Sequence, residues 1–457
     1  MKKFDVIVIG SGGGGKITSP AAKLGLKVAV IEKGPLGGTC LNRGCIPSKM
    51  LIHPAEVAMA VREAKKYDIH NDPAFSVDFA KLVNRISATV DGDSAGISAG
   101  YSRNPNITYF AGEGRFISNK IVEVNGEQLT ADKIFITVGA RPQIPEIPGL
   151  AGTPFMTSTE ALRNTTLPKK LIVLGGGYIA TELGFAYAAF GTEVHFIVRS
   201  TLLRHEDAQI ATEFQKEFSK FHHVHLHALT TRVVYQNGQF TVSYMQDGAE
   251  KHVTAESLLV ATGVVSNTDT LNLASTDIQL DRNGFVKVND RLETAVEGVY
   301  AFGDCIGRYL FRHSANFEGE YLFENVFVNP SLSPIVYPPV PHAVFSYPQI
   351  AGVGLTEEEA KAAGMDYVVG VNNYINSGMG MALLSESGFV KILIERSTRK
   401  IIGAHIVGPE ASNMIHMLIA FMSKQGTLDD LLAMIYIHPA LPEIVRNAAR
   451  KAKTALG

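Results

Sequence analysis

Phe4 to Ile9 is a near-continuous apolar run that ends in glycines, the pattern of a short strand buried on both faces. It is followed by Gly10-Ser-Gly12-Gly-Gly-Gly15, a helix-compatible segment to Leu24, and a second apolar run, Leu26 to Ile31, that ends at Glu32. Strand, glycine turn, helix, strand is the order of a βαβ unit. The same order returns from Lys169, with a strand from Leu171 to Leu174, Gly175-Gly-Gly177-Tyr178-Ile-Ala180-Thr-Glu182, a helix to Phe190 and a strand from Val194 to Val198. Between the repeats the pattern predicts helix after Lys49 through Val61 and around Phe79 to Ile97. Short strands follow around Ile107 to Tyr109, Ile121 to Val124 and Lys133 to Thr137. Prolines 142, 145 and 148 mark a linker, which places a domain boundary near 148.

Glycines at Gly10, Gly12 and Gly15 let a turn approach a pyrophosphate at a helix N-terminus. Glu32, twenty-two residues after Gly10, is placed to accept from a ribose hydroxyl. Pro20 is a departure, because inside a helix it removes a hydrogen bond and kinks the chain unless the helix starts late. In the second repeat Gly175 and Gly177 take the first two positions and Ala180 the third, still small enough for close helix–strand packing. Gly25 and Gly191 precede the second strands, and seven residues on stand Glu32 and Val198 respectively. The second repeat therefore lacks the acid and offers Arg199 and Arg204 instead, guanidinium groups suited to a 2′-phosphate. Two nucleotides are expected, the second being NADP(H) in preference to NAD(H).

The 457 residues suggest roughly three domains. A net charge of −2 and the lack of long charged runs leave no nucleic-acid footprint, which shifts the reading toward small-molecule chemistry. The N-terminal apolar run is too short, and ends in glycines, to be a signal peptide. No stretch approaches the ~20 apolar residues of a membrane helix. Three cysteines are too few for a disulfide framework, and a reducing cytoplasm is the expected location.

Two of those cysteines stand in Gly37-Gly-Thr-Cys40-Leu-Asn-Arg-Gly-Cys45-Ile-Pro-Ser-Lys49. Positions five apart in a regular helix have Cα atoms about 8.6 Å apart, beyond the roughly 7 Å reach of a disulfide. A bridge therefore requires distorted backbone, which Gly37, Gly38 and Gly44 permit. Pro47 suits the first turn of a following helix, so the thiols would sit near a positive N-terminus that favours thiolate. A metal site, two inert buried thiols and a catalytic disulfide compete as readings. Metal comes last, since no second close-spaced cysteine pair completes a four-ligand zinc site.

The cysteine segment closely resembles the redox-active loop of the flavoprotein disulfide reductases, among them dihydrolipoamide dehydrogenase, glutathione reductase and mycothione reductase. Further segments resemble the same family: Thr137-Val-Gly139-Ala-Arg141-Pro142, Ala261-Thr262-Gly263, Gly298-Val-Tyr-Ala-Phe-Gly303-Asp304, Val344-Phe-Ser-Tyr-Pro348 and His438-Pro-Ala-Leu-Pro-Glu443. The resemblance implies an α/β chain with two Rossmann-like domains, one for FAD and one for NAD(P), plus a C-terminal α+β dimerisation domain. By it, residues 1–147 and 268–337 form a discontinuous FAD-binding domain, 148–267 the NAD(P)-binding domain and 338–457 the interface domain. It implies that Cys45 faces the flavin, that Cys40 exchanges with the substrate and that Asp304 bonds the flavin ribitol. Lys49 would pair with Glu182 beside the flavin, and Tyr178 resembles an aromatic gate over it. His438 and Glu443 would reach across a homodimer as an oriented acid–base pair. Val264 and Ser266 depart from the family's arginine and proline, and Cys305 has no partner in sequence. The expected activity moves electrons between NAD(P)H and a small disulfide or dithiol, dihydrolipoamide dehydrogenase-like by its loop. Arg199 to Arg204 and the histidine segment resemble mycothione reductase, so an NADPH-dependent disulfide reductase stands beside it. A flavoprotein electron-transfer module would not need His438 and Glu443.

Overall fold

The structure, a computed structural model, describes residues 1–70, 75–329 and 333–457. The first apolar run forms β1 (Lys2–Ile9), followed by α1 (Gly15–Lys23) and β2 (Val28–Glu32). Next come α2 (Gly38–Arg43), α3 (Cys45–Glu63), α4 (Phe79–Arg103) and β3 (Ile107–Ala111). β4 (Arg115–Ser118), β5 (Ile121–Val124) and β6 (Glu127–Ile136) complete the first unit. The sheet runs β3-β2-β1-β6-β5-β4. β1 pairs in parallel on both sides, and from Val6 onward its side chains alternate between two cores: Val6 and Val8 enter one, Ile7 and Ile9 the other. Burial on both faces is what makes its sequence continuously apolar.

α1 starts at Gly15 and holds Pro20 inside it, so the helix does not start late and the proline removes one of its hydrogen bonds. Burial of Ile17, Thr18, Ala21 and Ala22 against the sheet holds the helix despite the missing donor. β6 begins six residues earlier than the expected Lys133. Its first half pairs antiparallel with β5, and its last residues pair in parallel with a strand from much later in the chain.

The second unit comprises β7 (Ala140–Pro142), α5 (Ser158–Ala161), β8 (Lys170–Leu174), α6 (Tyr178–Ala189), β9 (Glu193–Ile197) and α7 (Ala208–Phe218). It continues through β10 (His223–His225), β11 (Leu229–Gln236), β12 (Gln239–Gln246), β13 (Ala249–Ala255), β14 (Ser257–Val260) and β15 (Val264–Ser266). Its parallel sheet has the order β10-β9-β8-β14, and β11-β12-β13 is an antiparallel meander. Ile172, Leu174 and Ile197 pack against Phe240, Val242 and Tyr244 of the meander. The other face takes α6, and α6 in turn packs on α3 through a core holding Leu51, Ala55, Leu183 and Tyr187.

β7 and β15, the chain's exit from the first unit and its return, pair antiparallel. Arg141 clamps them, its guanidinium 2.7 Å from Asp269 and 2.9 Å from the Ser266 carbonyl. β16 (Val299–Ala301) then rejoins the first sheet beside β6, and α8 (Arg312–Phe323) follows. The last unit is a five-stranded antiparallel sheet, in spatial order Pro341–Val344, Ile350–Gly354, Ile401–Val407, Phe389–Glu395 and Tyr367–Asn373. Helices Ala411–Ser423 and Pro442–Leu456 pack on it.

Candidate active site

The helix through the cysteine segment is broken at Gly44, which separates α2 from α3 and puts Cys45 in the first turn of the second helix. A Cβ on Gly44 would lie 2.9 Å from the Thr39 carbonyl oxygen. Gly38, at φ +68°, lies so close to the first glycine turn that a Cβ there would stand 2.5 Å from the Gly12 Cα. The cysteine segment thus rests on the first glycine turn. Asn42, not singled out from sequence, pins it by donating to the carbonyls of Leu36 and Gly38.

Cys40 and Cys45 are thiols here and hydrogen-bond to each other. That bond lowers the Cys40 thiol to about 7 against the opposing effect of burial, with help from the Arg312 and Lys49 charges. The same bond, burial and the Cys40 charge raise Cys45. The pair therefore loses one proton near neutrality and resists losing the second. Cys305 is fully buried, raised to about 12 by that burial, and donates to the Phe302 carbonyl, as suits a bystander.

One turn after Cys45, Lys49 places Nζ 2.7 Å from Glu182 of α6, a pair set by the packing of α3 on α6. The Glu182 carboxylate also accepts from the Phe345 amide at 3.0 Å, and the Lys49 ammonium sits 4.3 Å from the centre of the Phe345 ring. Burial pushes the Glu182 carboxyl up, with Lys49 pulling against it. The pair thereby joins the two βαβ units to the start of the third, where Phe345 was not anticipated.

In the first nucleotide turn, Gly10 has φ +99° and approaches the Thr137 carbonyl oxygen to within 2.3 Å of where a Cβ would be. The expected third position needs correction. Gly15 has open space around it, whereas a Cβ on Gly14 would stand 2.3 Å from the Gly10 carbonyl oxygen and 2.5 Å from Val8 Cγ1. The reason is a one-residue difference between the repeats: Gly10 to Gly25 spans fifteen positions, Gly175 to Gly191 sixteen. Aligned from the helix end, Gly14 and not Gly15 matches the fully buried Ala180. Glu32 accepts from both the amide and the hydroxyl of Ser11, which ties the end of β2 to this turn. Gly139 lies just beyond it at φ +67°.

In the second turn Gly175 lies within 2.2 Å, measured from a Cβ, of the Ala261 carbonyl oxygen, while Gly177 faces open space. Gly263 has φ +129°. Val198 is buried at the end of the strand; Arg199 and Arg204 are exposed beside it, and neither forms an ion pair among the described residues. Tyr178 donates its hydroxyl to Glu206 at 2.6 Å, and its ring lies nearly parallel to those of Phe311 and His342, with centroids 6.3 and 6.1 Å away. Glu206 also accepts from His342 at 2.8 Å, a link to the third unit that the sequence did not signal.

His438 stands apart from these groups. Its Nδ1 lies 3.1 Å from both oxygens of Glu443, and its side chain is 76% exposed while that of Glu443 is 4% exposed. The His438 bond is the main effect holding the Glu443 carboxyl below its usual range, and Arg446, 2.9 Å away, adds to it. Ile435 and Ile437, immediately before the histidine, are almost wholly exposed apolar side chains.

Residues 4–319 match the pyridine nucleotide-disulphide oxidoreductase family and residues 340–449 match the dimerisation domain of the same family. The chain belongs to this family. Among its relatives, mycothione reductase from Mycobacterium tuberculosis is 36% identical over 98% of this chain and 99% of its own. Dihydrolipoyl dehydrogenase from Geobacillus stearothermophilus is 34% identical over 98% and 96%. The HOCl-induced flavoprotein disulfide reductase RclA from Escherichia coli superposes with a TM-score of 0.86 at 26% identity, covering 99% of this chain and all of that one.

As a flavoprotein disulfide oxidoreductase the chain uses FAD and a nicotinamide dinucleotide, and the residues present fit both. Ser11, Gly12, Gly37, Tyr101 and Arg312 line a cavity of about 440 Å³, where glycine backbone and one guanidinium suit a diphosphate. Asp304 lies nearby with its carboxyl pushed up by burial and drawn down by Arg312. Arg312 has no counterpart in the motif reading, because it follows the flavin segment at the start of α8 and only folding brings it to Gly12. Among the described residues, no helix is long and apolar enough to cross a membrane.

Proposed function

We propose that this disulfide oxidoreductase draws electrons from NADPH and delivers them through Cys40 and Cys45 to a small disulfide. Residues 1–147 and 268–337 would hold FAD, 148–267 the nicotinamide dinucleotide, and 338–457 the subunit interface. Bound FAD supplies the electron relay between nicotinamide and the cysteine pair. The observation that carries the reading is the thiol pair itself, at a helix N-terminus and beside two cations, with Cys40 lowered to about 7.

Cys40, as thiolate at neutral pH, attacks one sulfur of the substrate disulfide; the S–S bond breaks and the departing thiolate takes a proton. Cys45 then attacks Cys40, releasing the second substrate thiol and closing the Cys40–Cys45 disulfide. His438 of the partner subunit supplies the protons, with the buried Glu443 orienting its ring. Lys49, held by Glu182, places a positive charge beside the thiols and the flavin site. Tyr178 covers the nicotinamide approach, steadied by Glu206. Exposed Arg199 and Arg204 favour a 2′-phosphate, hence NADPH.

The Arg199–Arg204 segment and the similarity to mycothione reductase favour a low-molecular-weight disulfide, and the cysteine loop favours dihydrolipoamide as the second reading. A turnover screen of mycothiol, glutathione and lipoamide disulfides with NADPH and NADH decides between them. Turnover of lipoamide alone, with NADH, would discard the first reading.

A further inference from the structure

The edge of the second parallel sheet carries imidazoles that the disulfide chemistry does not use. β10 reads His223-Val-His225 and pairs in parallel with β9, setting His223 opposite His195 and His225 opposite Ile197. Side chains two apart on a strand share a face, so Glu193, His195, His223 and His225 project together. Val194 and Phe196 occupy the opposite face, in the core beneath α6.

Both imidazoles converge on one carboxylate. His195 Nε2 lies 2.7 Å and His223 Nε2 3.9 Å from the same Glu193 oxygen, and the two rings lie 4.3 Å apart at 14°. One ligand atom from each residue lies within 4.8 Å of the others. Donors around a tetrahedral zinc stand roughly 3.3 Å apart at ordinary bond lengths, so modest side-chain rotation closes the set. Behind it runs a relay: His195 Nδ1 is 3.2 Å from His225 Nε2, and His225 Nδ1 is 3.0 Å from the Tyr244 hydroxyl. A phenol both donates and accepts, so the relay can reverse. With an ion on His195 Nε2, its Nδ1–H donates to His225 and that ring donates to Tyr244, the outer support that metal-bound imidazoles commonly have. The side chains of Glu193 and His223 are 49% and 60% exposed, which leaves an entry path and room for a water ligand. Opposing the ion, Lys170 lies 3.0 Å from Glu193 and must swing into solvent. An isolated histidine–carboxylate contact would be a surface ion pair; a second imidazole on the same oxygen and a backing relay go beyond that.

We propose that Glu193, His195 and His223 form a solvent-open site for a divalent transition-metal ion, Zn²⁺ or Cu²⁺, which clamps the edge strand β10 to β9. The test titrates Zn²⁺ into the oxidised, FAD-loaded protein, in which Cys40 and Cys45 are bridged and Cys305 is fully buried, so that no thiol competes. The expected result is one ion per chain, with His223→Gln and Glu193→Gln each weakening it about tenfold or more, since loss of an outer-shell partner alone costs roughly 10- to 100-fold. Cu²⁺ on the unsubstituted protein should show electron-spin resonance splitting from two imidazole nitrogens, which keeps the test decisive if a variant fails to fold. Absence of saturable Zn²⁺ binding, affinity unchanged in both variants, or a Cu²⁺ spectrum without nitrogen splitting would overturn the proposal.

Discussion

Gly14→Ala and Gly15→Ala place one methyl group each on adjacent residues of the first nucleotide turn, and the structure separates their consequences sharply. The Gly14 methyl would meet the Gly10 carbonyl oxygen at 2.3 Å, Val8 Cγ1 at 2.5 Å and Thr137 Oγ1 at 2.7 Å. Gly10 is itself wedged against the Thr137 carbonyl, so the turn cannot yield without moving a second strand connection. Overpacking of this kind costs about 1–3 kcal/mol. At roughly 2–4 °C per kcal/mol for a domain of this size, the apparent melting temperature should fall by about 2–12 °C, with FAD content of the purified protein falling alongside. The Gly15 methyl meets nothing within 4 Å, and alanine is the better helix former by up to ~1 kcal/mol. Gly15→Ala should therefore leave the melting temperature of the protein unchanged or slightly raised. Thermal unfolding and the flavin-to-protein absorbance ratio measure both effects. Equal damage in the two variants, or a harmless Gly14→Ala, would refute the one-residue offset between the repeats.

His438→Gln should lower disulfide turnover by about 10²- to 10⁴-fold while the nicotinamide half-reaction, followed by stopped flow, stays near normal; unimpaired turnover would remove its acid–base role. Mixed dimers of Cys40→Ser and His438→Gln chains should regain activity. Arg199→Ala should raise the KM for NADPH roughly ten- to hundredfold, the equivalent of one charged hydrogen bond, and leave NADH unaffected; equal losses with both would sink the 2′-phosphate assignment. Alkylation of Cys40 in the reduced protein should follow an inflection at about 7, its thiolate present above that pH and lost below it. An inflection near 9 in the iodoacetamide rate profile would contradict the hydrogen bond from Cys45. Lys391 and Asp207 are both fully buried and 2.8 Å apart, joining the third unit to the second. Lys391→Met strands the carboxylate and should cost about 3–5 kcal/mol by chemical denaturation, and a loss under 1 kcal/mol would refute that account.

Local sequence carried a large part of this protein. Strands buried on both faces announce themselves as apolar runs, glycine turns must be written in glycine, and the cysteine segment carries the glycines that permit a distorted backbone, so two βαβ repeats and a thiol pair were legible from the sequence. The sequence could also nominate partners by resemblance, as with Lys49 and Glu182. It could not supply Phe345, whose amide completes that pair, nor Arg312 beside the first turn, nor Glu206 and His342 behind Tyr178, because each arrives from a distant element whose docking leaves no local periodicity. The misplacement of the third glycine has the same origin. Spacing counted forward from Gly10 selects Gly15, but steric contact is decided by where the helix lies against β1, and the shorter first repeat draws it in by one residue so that Gly14 meets the strand. His195 and His223 likewise read as scattered histidines until strand pairing sets them side by side. A chain reports what each segment needs from its own backbone; which side chains meet depends on how rigid elements pack, and that is settled only when all of them bury their apolar faces together.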